Sequence, residues 1–337
     1  MKTVSIVIPC RNEEKYIASC LDSLIHTTYP KEYLSIFVCD GLSDDQTPSI
    51  VSQYAAKYSY IELLINKMQT TPYALNLGIQ HQNSDVVIIL GAHSTVASDF
   101  IDKNVEVLFS DATIGCAGGV LTNSYENKQS QIIGYAMSQP FGVGNAHFRT
   151  GAKAGFVDTV AFGSYKREVF EKIGYFDEDL TRNQDDDFNY RLTKAGYRIF
   201  LSPEIQSFYV VRSSFHHLFR QYFQYGYWKV FVNQKHKRIT SFRQLIPFFF
   251  VSFIVLGSIL SVVVPYFNFA YSFFCLLYLL MAFWFTQHQP FSFKERWMIV
   301  WTFLTLHVSY GSGYCAGIWD FIIFEKKPKS KFHQLSR

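Results

Sequence analysis

Three consecutive acids, one histidine at the end of an apolar run and an Asp-Gly pair are the side chains of this sequence best placed to do chemistry. The acids are Asp185, Asp186 and Asp187 in TRNQDDDFNYRLTKAG, residues 181–196. Phe188, Leu192 and Ala195 share one helical face there, and Gly196 supplies a stop. A helix from about Asp185 sets the acids at the positive end of its macrodipole, where carboxylates can work as bases or merely start the helix. The histidine is His93, delivered by VVIILGAHSTV, residues 86–96. An imidazole at such a point can ligate a metal ion, Mn2+-like rather than the oxygen-seeking Mg2+, or serve as a hydrogen-bonded strand end. Asp40-Gly41 closes SIFVCD, residues 35–40, as a common turn pair whose carboxylate can also accept a hydrogen bond.

These groups need a scaffold, and the apolar runs provide one. VSIVIP (4–9), SIFVCD (35–40), IELLIN (61–66) and DVVIIL (85–90) are strand-length and nearly continuous in apolar residues. Between them fall a helix that Asn12 can cap, with Glu13 and Glu14 in its first turn and Ile17, Leu21, Leu24 and Ile25 on its inner face, and a second helix around Pro48 to Tyr58. This alternation predicts an α/β domain with a parallel sheet covered on both faces. Ligands of such sheets lie beyond the carboxyl ends of the strands. Pro9-Cys10-Arg11-Asn12, Asp40-Gly41 and Gly91-Ala92-His93 all occupy that place. No GxGxxG follows the first strand and no GxxxxGK[ST] occurs, which sets aside dinucleotide oxidoreductases and P-loop enzymes.

Composition adds a membrane to the picture. The chain has 337 residues, 49% of them apolar, enough for one sizeable core and a second module. A net charge of +4 gives no reason to expect nucleic acid, but the placement of charge is informative. Gln244 to Phe293 contains no Asp, Glu, Lys or Arg, while Arg220 to Arg243 carries six basic residues and no acid, and Lys326 to Arg337 five more. Leu245–Val264 and Tyr266–Phe285 are each about the ~20 residues that cross a hydrocarbon core, and only Pro265 separates them, so a helical hairpin (245–285) is expected. Neither has the polar face of a buried pair in a soluble domain. A third segment, 297–324, is interrupted by His307 and Gly311-Ser312-Gly313 and is expected to be re-entrant or interfacial, broken near the glycines. Basic residues before the first span, after the second and in the tail place all three on the cytoplasmic side, an arrangement that two full spans satisfy. The division expected is thus a catalytic domain at 1–235 with interfacial helices at its end, a membrane domain at 236–325 and a basic cytoplasmic tail at 326–337. The Met1 end begins with a strand rather than a signal peptide. Six scattered cysteines fit a reducing cytosol, with no disulfide or metal role.

PCRNEE (9–14), CDGLSDDQT (39–47), ALNLGI (74–79), GAH (91–93), NQDDDFNYRL (183–192) and QYGYW (224–228), in this order, resemble the inverting family 2 glycosyltransferases, in particular the membrane-bound enzymes of succinoglycan-type exopolysaccharide assembly. The resemblance implies a nucleotide-diphospho-sugar transferase (GT-A-like) domain with a Rossmann-like half, followed by C-terminal transmembrane helices. It implies that Pro9, Arg11 and Asp40 line the donor nucleotide's pocket, that Lys67 and Asn76 belong to the segment closing over it, and that Asp45 and Thr47 shape the loop. Where the family carries Asp-x-Asp, Gly91 replaces the first acid and His93 the second, so His93 is expected to hold a divalent metal (Mn2+ or Mg2+) that the donor diphosphate mostly coordinates. The family's general base falls in an acidic pair at Gln184-Asp185, which makes Asp185 the expected base with Asp186 beside it. Gly163 and Ser164, in a segment expected to open a helix after the strand GFVDTVAF, fit acceptor contact. Gln224 and Trp228 match the family's Gln-x-x-Arg-Trp motif, with Tyr227 in place of the arginine; Lys229, Arg220 or Arg149 are the candidates for the missing charge.

The expected activity is transfer of a hexosyl unit from a nucleotide-sugar donor, a UDP-sugar, to a lipid-linked saccharide acceptor at the inner or plasma membrane, with the catalytic domain cytoplasmic. A non-catalytic membrane scaffold of the same fold is the rival reading. A processive synthase would need more spans.

Overall fold

A computed structural model describes residues 1–144, 146–151, 153–211, 213–240 and 242–327. In chain order the elements begin β1 (Val4–Cys10), α1 (Ile17–Ile25), β2 (Leu34–Asp40), α2 (Thr47–Lys57), β3 (Ile61–Ile65), α3 (Thr71–His81), β4 (Val86–Ile89), β5 (Ser94–Val96), α4 (Phe100–Ser110) and β6 (Ile114–Ser124). They continue as α5 (Lys128–Met137), α6 (Pro140–Val143), α7 (His147–Thr150), β7 (Gly155–Val157), β8 (Ala161–Lys166), α8 (Arg167–Ile173), α9 (Gln184–Lys194) and β9 (Arg198–Val210). The helices α10 (Phe215–Lys235), α11 (Ile246–Val263), α12 (Phe267–Trp284) and α13 (Phe293–Gly317) follow. Two compact units result, Met1–Ser124 with His147–Val210 and Tyr125–Ala146 with Val211 onward. The boundary expected at residue 235 is therefore not where the chain divides: α5, α6 and α10 group with the C-terminal helices.

The first unit, in its described residues, is an α/β domain on one nine-stranded sheet in the order β3-β2-β1-β4-β8-β6-β9-β5, with β7 on β9. Its strands are apolar almost throughout because helices cover both faces. Ile6 and Ile8 of β1 point into one core with Val38, Ile88 and Leu90, and Val7 points into the other with Phe37, Val87 and Phe188. β1 to β4 are parallel, as the alternation predicts. The rest of the sheet is mixed: β8 is antiparallel to both β4 and β6, and β9 is parallel to β6. Only Leu90–His93 separates β4 from β5, too little chain for a helical crossover, and β5 instead pairs antiparallel with β9.

In the second unit α13 runs unbroken through Gly311 and Gly313, so the break expected there is absent. The glycines serve close packing. A Cβ at Gly313 would lie 2.0 Å from the Phe223 carbonyl oxygen, one at Gly311 2.2 Å from that of Pro247, and one at Gly226 on α10 2.0 Å from that of Tyr310. Backbone thus meets backbone along the contact of α13 with α10 and α11, as small residues permit between apolar helices. Two helices, Phe242–Val263 and Phe267–Trp284, are long and apolar enough to cross a membrane, and both are almost wholly unburied within the protein. The tail from residue 328 lies outside the described residues. Gly313→Ala is expected to destabilise the helical unit by about 1–3 kcal/mol through overpacking; thermal melting of detergent-solubilised protein reads this directly, and an unchanged midpoint would contradict the tight seam.

Candidate active site

β1 pairs with β2 on one side and β4 on the other, so the connections leave its carboxyl end in opposite directions and open a crevice between them. The loop after β1 and the loop after β2 are zipped together there. Asn12 N donates to Ser43 Oγ (2.8 Å) and its Oδ1 accepts from Asp44 N (3.1 Å). Glu14 N donates to Asp45 Oδ2 (3.1 Å), and Gln46 N to Glu14 Oε2 (2.9 Å). Asp45 also accepts from Thr47 N (2.9 Å). Burial pushes the Asp45 carboxyl up, but the Thr47 hydroxyl and amide and the Glu14 amide outweigh it and hold the group below the usual carboxylate range. Asn12 is thus a loop clasp in a left-handed conformation (φ 55°), not the cap of α1, which begins a turn later at Ile17.

That clasp buries Glu13, which the sequence presents as one acid of a helical first turn. Glu13 is 4% exposed, its amide donates to Thr47 Oγ1 (2.8 Å), and its Oε1 lies 3.3 Å from His93 Nδ1. The His93 ring also sits edge-on to Tyr209, with centroids 5.0 Å apart, and its carbonyl accepts from Val210 N. His93 is thereby oriented from two strand ends and a loop. A carboxylate and an imidazole are donor types that divalent cations accept, and among the described residues no group of three or more His, Cys, Asp or Glu side chains forms a metal site. Burial pushes the Cys20 and Cys39 thiols up to about 12, which excludes them as thiolate nucleophiles.

The nucleotide-pocket candidates are dispersed differently from one another. Pro9 pairs in register with Cys39 and Arg11 lies half-buried just past β1. Asp40 is 1% exposed and its oxygens accept from Ser43 N (3.0 Å) and Ser43 Oγ (2.5 Å). Lys67 is exposed after β3. Asn76 is buried in α3, where it donates to Phe176 O and Glu178 Oε1 (both 2.9 Å) and accepts from Phe176 N (3.0 Å). Its amide is spent bracing segment 176–178, a correction to the expected place over the nucleotide.

The acidic helix α9 separates its three carboxylates by burial. Asp187 is fully buried against Arg191 Nε (2.9 Å), whose other nitrogens donate to the carbonyls of Ile173 and Tyr175 (both 2.7 Å). Asp186 accepts from Asn183 Nδ2 (2.9 Å), the left-handed residue (φ 59°) that turns the chain into the helix. Asp185 is exposed. Strand directions show where it lies. β8 is antiparallel to β4 and β6, so β6 runs the same way as β1 and β4, and β9 with it. α9 reaches β9 through the turn 195–197 and so runs oppositely, which brings its amino end to the edge where β1 and β4 finish. Asp185, Glu13 and His93 belong to this one edge. Tyr165 lies beneath the helix; burial, then Cys116, then Asp185 push its phenol far up, so it stays protonated.

The acceptor candidates are corrected in part. GFVDTVAF forms two strands, and Phe162 to Lys166 continues β8, with the helix opening at Arg167. Ser164 is fully buried in register with Ile88 and Ala117, and a Cβ at Gly163 would meet the Tyr165 hydroxyl oxygen at 2.8 Å. Both are buried within the sheet. Gln224 and Trp228 are buried in α10 of the second unit. Tyr227 beside them donates to Asp320 Oδ2 (2.9 Å), while Asp320 Oδ1 takes Lys326 Nζ (2.6 Å).

Comparison with known proteins gives this edge a family. The Glycosyl transferase family 2 model matches residues 5–174. The chain is 33% identical over 234 residues, 67% of its own length and 72% of the relative's, to dolichyl N-acetyl-alpha-D-glucosaminyl phosphate 3-beta-D-2,3-diacetamido-2,3-dideoxy-beta-D-glucuronosyltransferase of Methanococcus voltae. It is 28% identical, over 77% of this chain and 78% of the other, to the succinoglycan biosynthesis protein ExoA of Rhizobium meliloti (strain 1021). Among solved structures, the mannosyltransferase PcManGT from Pyrobaculum calidifontis, in complex with GDP-Man and Mn2+, superposes with a TM-score of 0.66 at 19% identity, covering 94% of this chain and 87% of that one, a likeness of fold. Sequence pattern, architecture and relatives agree: the chain belongs to glycosyl transferase family 2 and is a glycosyltransferase.

Proposed function

We propose that the protein transfers a hexosyl unit from a nucleotide-diphospho-sugar, a UDP-sugar, to a hydroxyl of a membrane-associated, polyprenyl-diphosphate-linked saccharide, with inversion at the anomeric carbon, in the synthesis of a cell-surface polysaccharide. The observation that carries this reading is the exposed Asp185 at the head of α9, on the sheet edge that also holds His93 and Glu13. Asp185 takes the proton of the acceptor hydroxyl as that oxygen attacks the anomeric carbon from the face opposite the nucleotide. The new carbon–oxygen bond forms while the bond to the diphosphate breaks, and the electron pair leaves with the diphosphate. Glu13 and His93 would hold a divalent cation, which when bound neutralises charge on that leaving group. Pro9, Arg11 and Asp40 border the nucleotide, and Asp186 is proposed for the acceptor side.

The relative named for a dolichyl phosphate sugar and the relative named for succinoglycan synthesis support a lipid-linked or polysaccharide acceptor, and the neighbour with GDP-Man and Mn2+ supports a nucleotide-sugar donor with a divalent metal. α11 and α12 would span the inner or plasma membrane, with the catalytic unit held in the cytoplasm by the basic residues flanking the hairpin. The test is incubation of membranes containing the protein with radiolabelled UDP- and GDP-sugars and a crude lipid-linked acceptor pool. Label is expected in the organic-extractable fraction from UDP-sugars. Neither transfer nor donor hydrolysis by folded protein would overturn the reading in favour of a scaffold.

A further inference from the structure

The aromatic cluster beside His93 holds one more cation than the reaction above employs. Arg149, in α7, sets its guanidinium 5.6 Å from the ring centre of Tyr209 and 5.5 Å from that of Phe148. The same Tyr209 ring carries His93 at 5.0 Å, and His93 in turn meets Glu13 at 3.3 Å. Glu13, His93, Tyr209 and Arg149 therefore form a row at the ligand edge of the sheet.

The state of the guanidinium is what distinguishes it. Arg149 Nη1 is buried and has no hydrogen-bond acceptor among the described residues. Buried N–H groups are almost always paired, and an aromatic ring at cation–π distance attracts the charge without offering the oxygen acceptor a guanidinium N–H ordinarily finds. The other buried-side arginines of this unit behave as structural braces. Arg167 donates to the carbonyls of Ser84, Ile79 and Gln82, and Arg191 to Asp187 and two carbonyls. Arg149 lies over two aromatic rings and leaves its Nη1 edge without an acceptor among the described residues. The partner such an edge fits is a planar or tetrahedral oxyanion, and the nearby carboxylate, Glu13, is turned to His93.

We propose that Arg149 is an anion-binding residue of this site, donating from Nη1 to a phosphate oxygen brought by a substrate. The phosphate belongs either to the diphosphate of the nucleotide donor or to the lipid phosphate of the acceptor. This inference rests on the glycosyl-transfer reading above.

Full-length protein in detergent, as wild type, Arg149→Gln and Arg149→Lys, is titrated calorimetrically with UDP and GDP, and its KM is measured for a polyprenyl-phosphate-linked acceptor. Arg149→Gln is expected to weaken one of these by about 10- to 100-fold, the worth of a charge-assisted hydrogen bond, with Arg149→Lys restoring part of it. Weaker nucleoside diphosphate binding assigns the oxygen to the donor; a raised acceptor KM with unchanged diphosphate affinity assigns it to the lipid. Wild-type affinities for both in a folded Arg149→Gln protein would overturn the proposal. So would equal losses in both variants with a lowered melting temperature, the mark of a structural role. A wild-type protein that binds neither ligand would sink the glycosyl-transfer reading and this inference with it.

Discussion

Asp185→Asn is expected to lower kcat by about 10²–10⁴-fold while the affinity for nucleoside diphosphate stays near that of the wild type, because the amide keeps the shape of the site and removes only the proton acceptor. Neighbouring residues make the test selective. Asp186 is committed to Asn183, and Asp187 is buried against Arg191, whereas Asp185 is exposed at the head of the helix. Asp186→Asn should therefore lose much less activity. Should Asp185→Asn keep most of its rate while Asp186→Asn does not, the base is the second acid rather than the first. Steady-state kinetics paired with a nucleotide titration separates these outcomes.

Arg191→Met should cost about 3–5 kcal/mol of folding stability, since it takes the Arg191 guanidinium away from the buried Asp187 carboxylate and strips two carbonyls of a donor. Thermal or denaturant unfolding checks it. The double variant Arg191→Met with Asp187→Leu removes the buried carboxylate together with the guanidinium and should recover a good part of the loss. Equal destabilisation in the single and double variants would mean that the carbonyl contacts, not the ion pair, hold α8 and α9 together.

The parallel half of the sheet was legible because its strands are buried on both faces and so carry apolar residues without alternation; Ile6 and Val7 face opposite cores and are equally hidden. The head of α9 was legible for a similar reason, as acids followed by Phe188 and Leu192 state both the dipole end and the buried face. Glu13 was not. Its partner lies eighty residues away, and nothing local separates a buried acid from the exposed Glu14 beside it. β8 was taken for a helix start because short apolar and small residues do not distinguish a strand from a helix; its place is set by β4 and β6 on either side. The glycines of α13 were misjudged since the residue that ends helices in water also lets helices touch. The contact at Phe223 decides which use applies, and it depends on a distant segment. Arg149 was one of three basic residues named for a missing charge, and its place over the Tyr209 ring depends on a contact sixty residues away that no local pattern states.

The hydrogen bonds that fasten Asn12 and Glu14 to residues 43–46 make two distant stretches of chain behave as one part. A change of donor preference by substitution in either stretch alone would have to work against a fixed counterpart. New base or sugar tolerance is therefore more accessible through paired changes on both sides of the clasp, and libraries that vary the two stretches together should outperform those that vary them in turn.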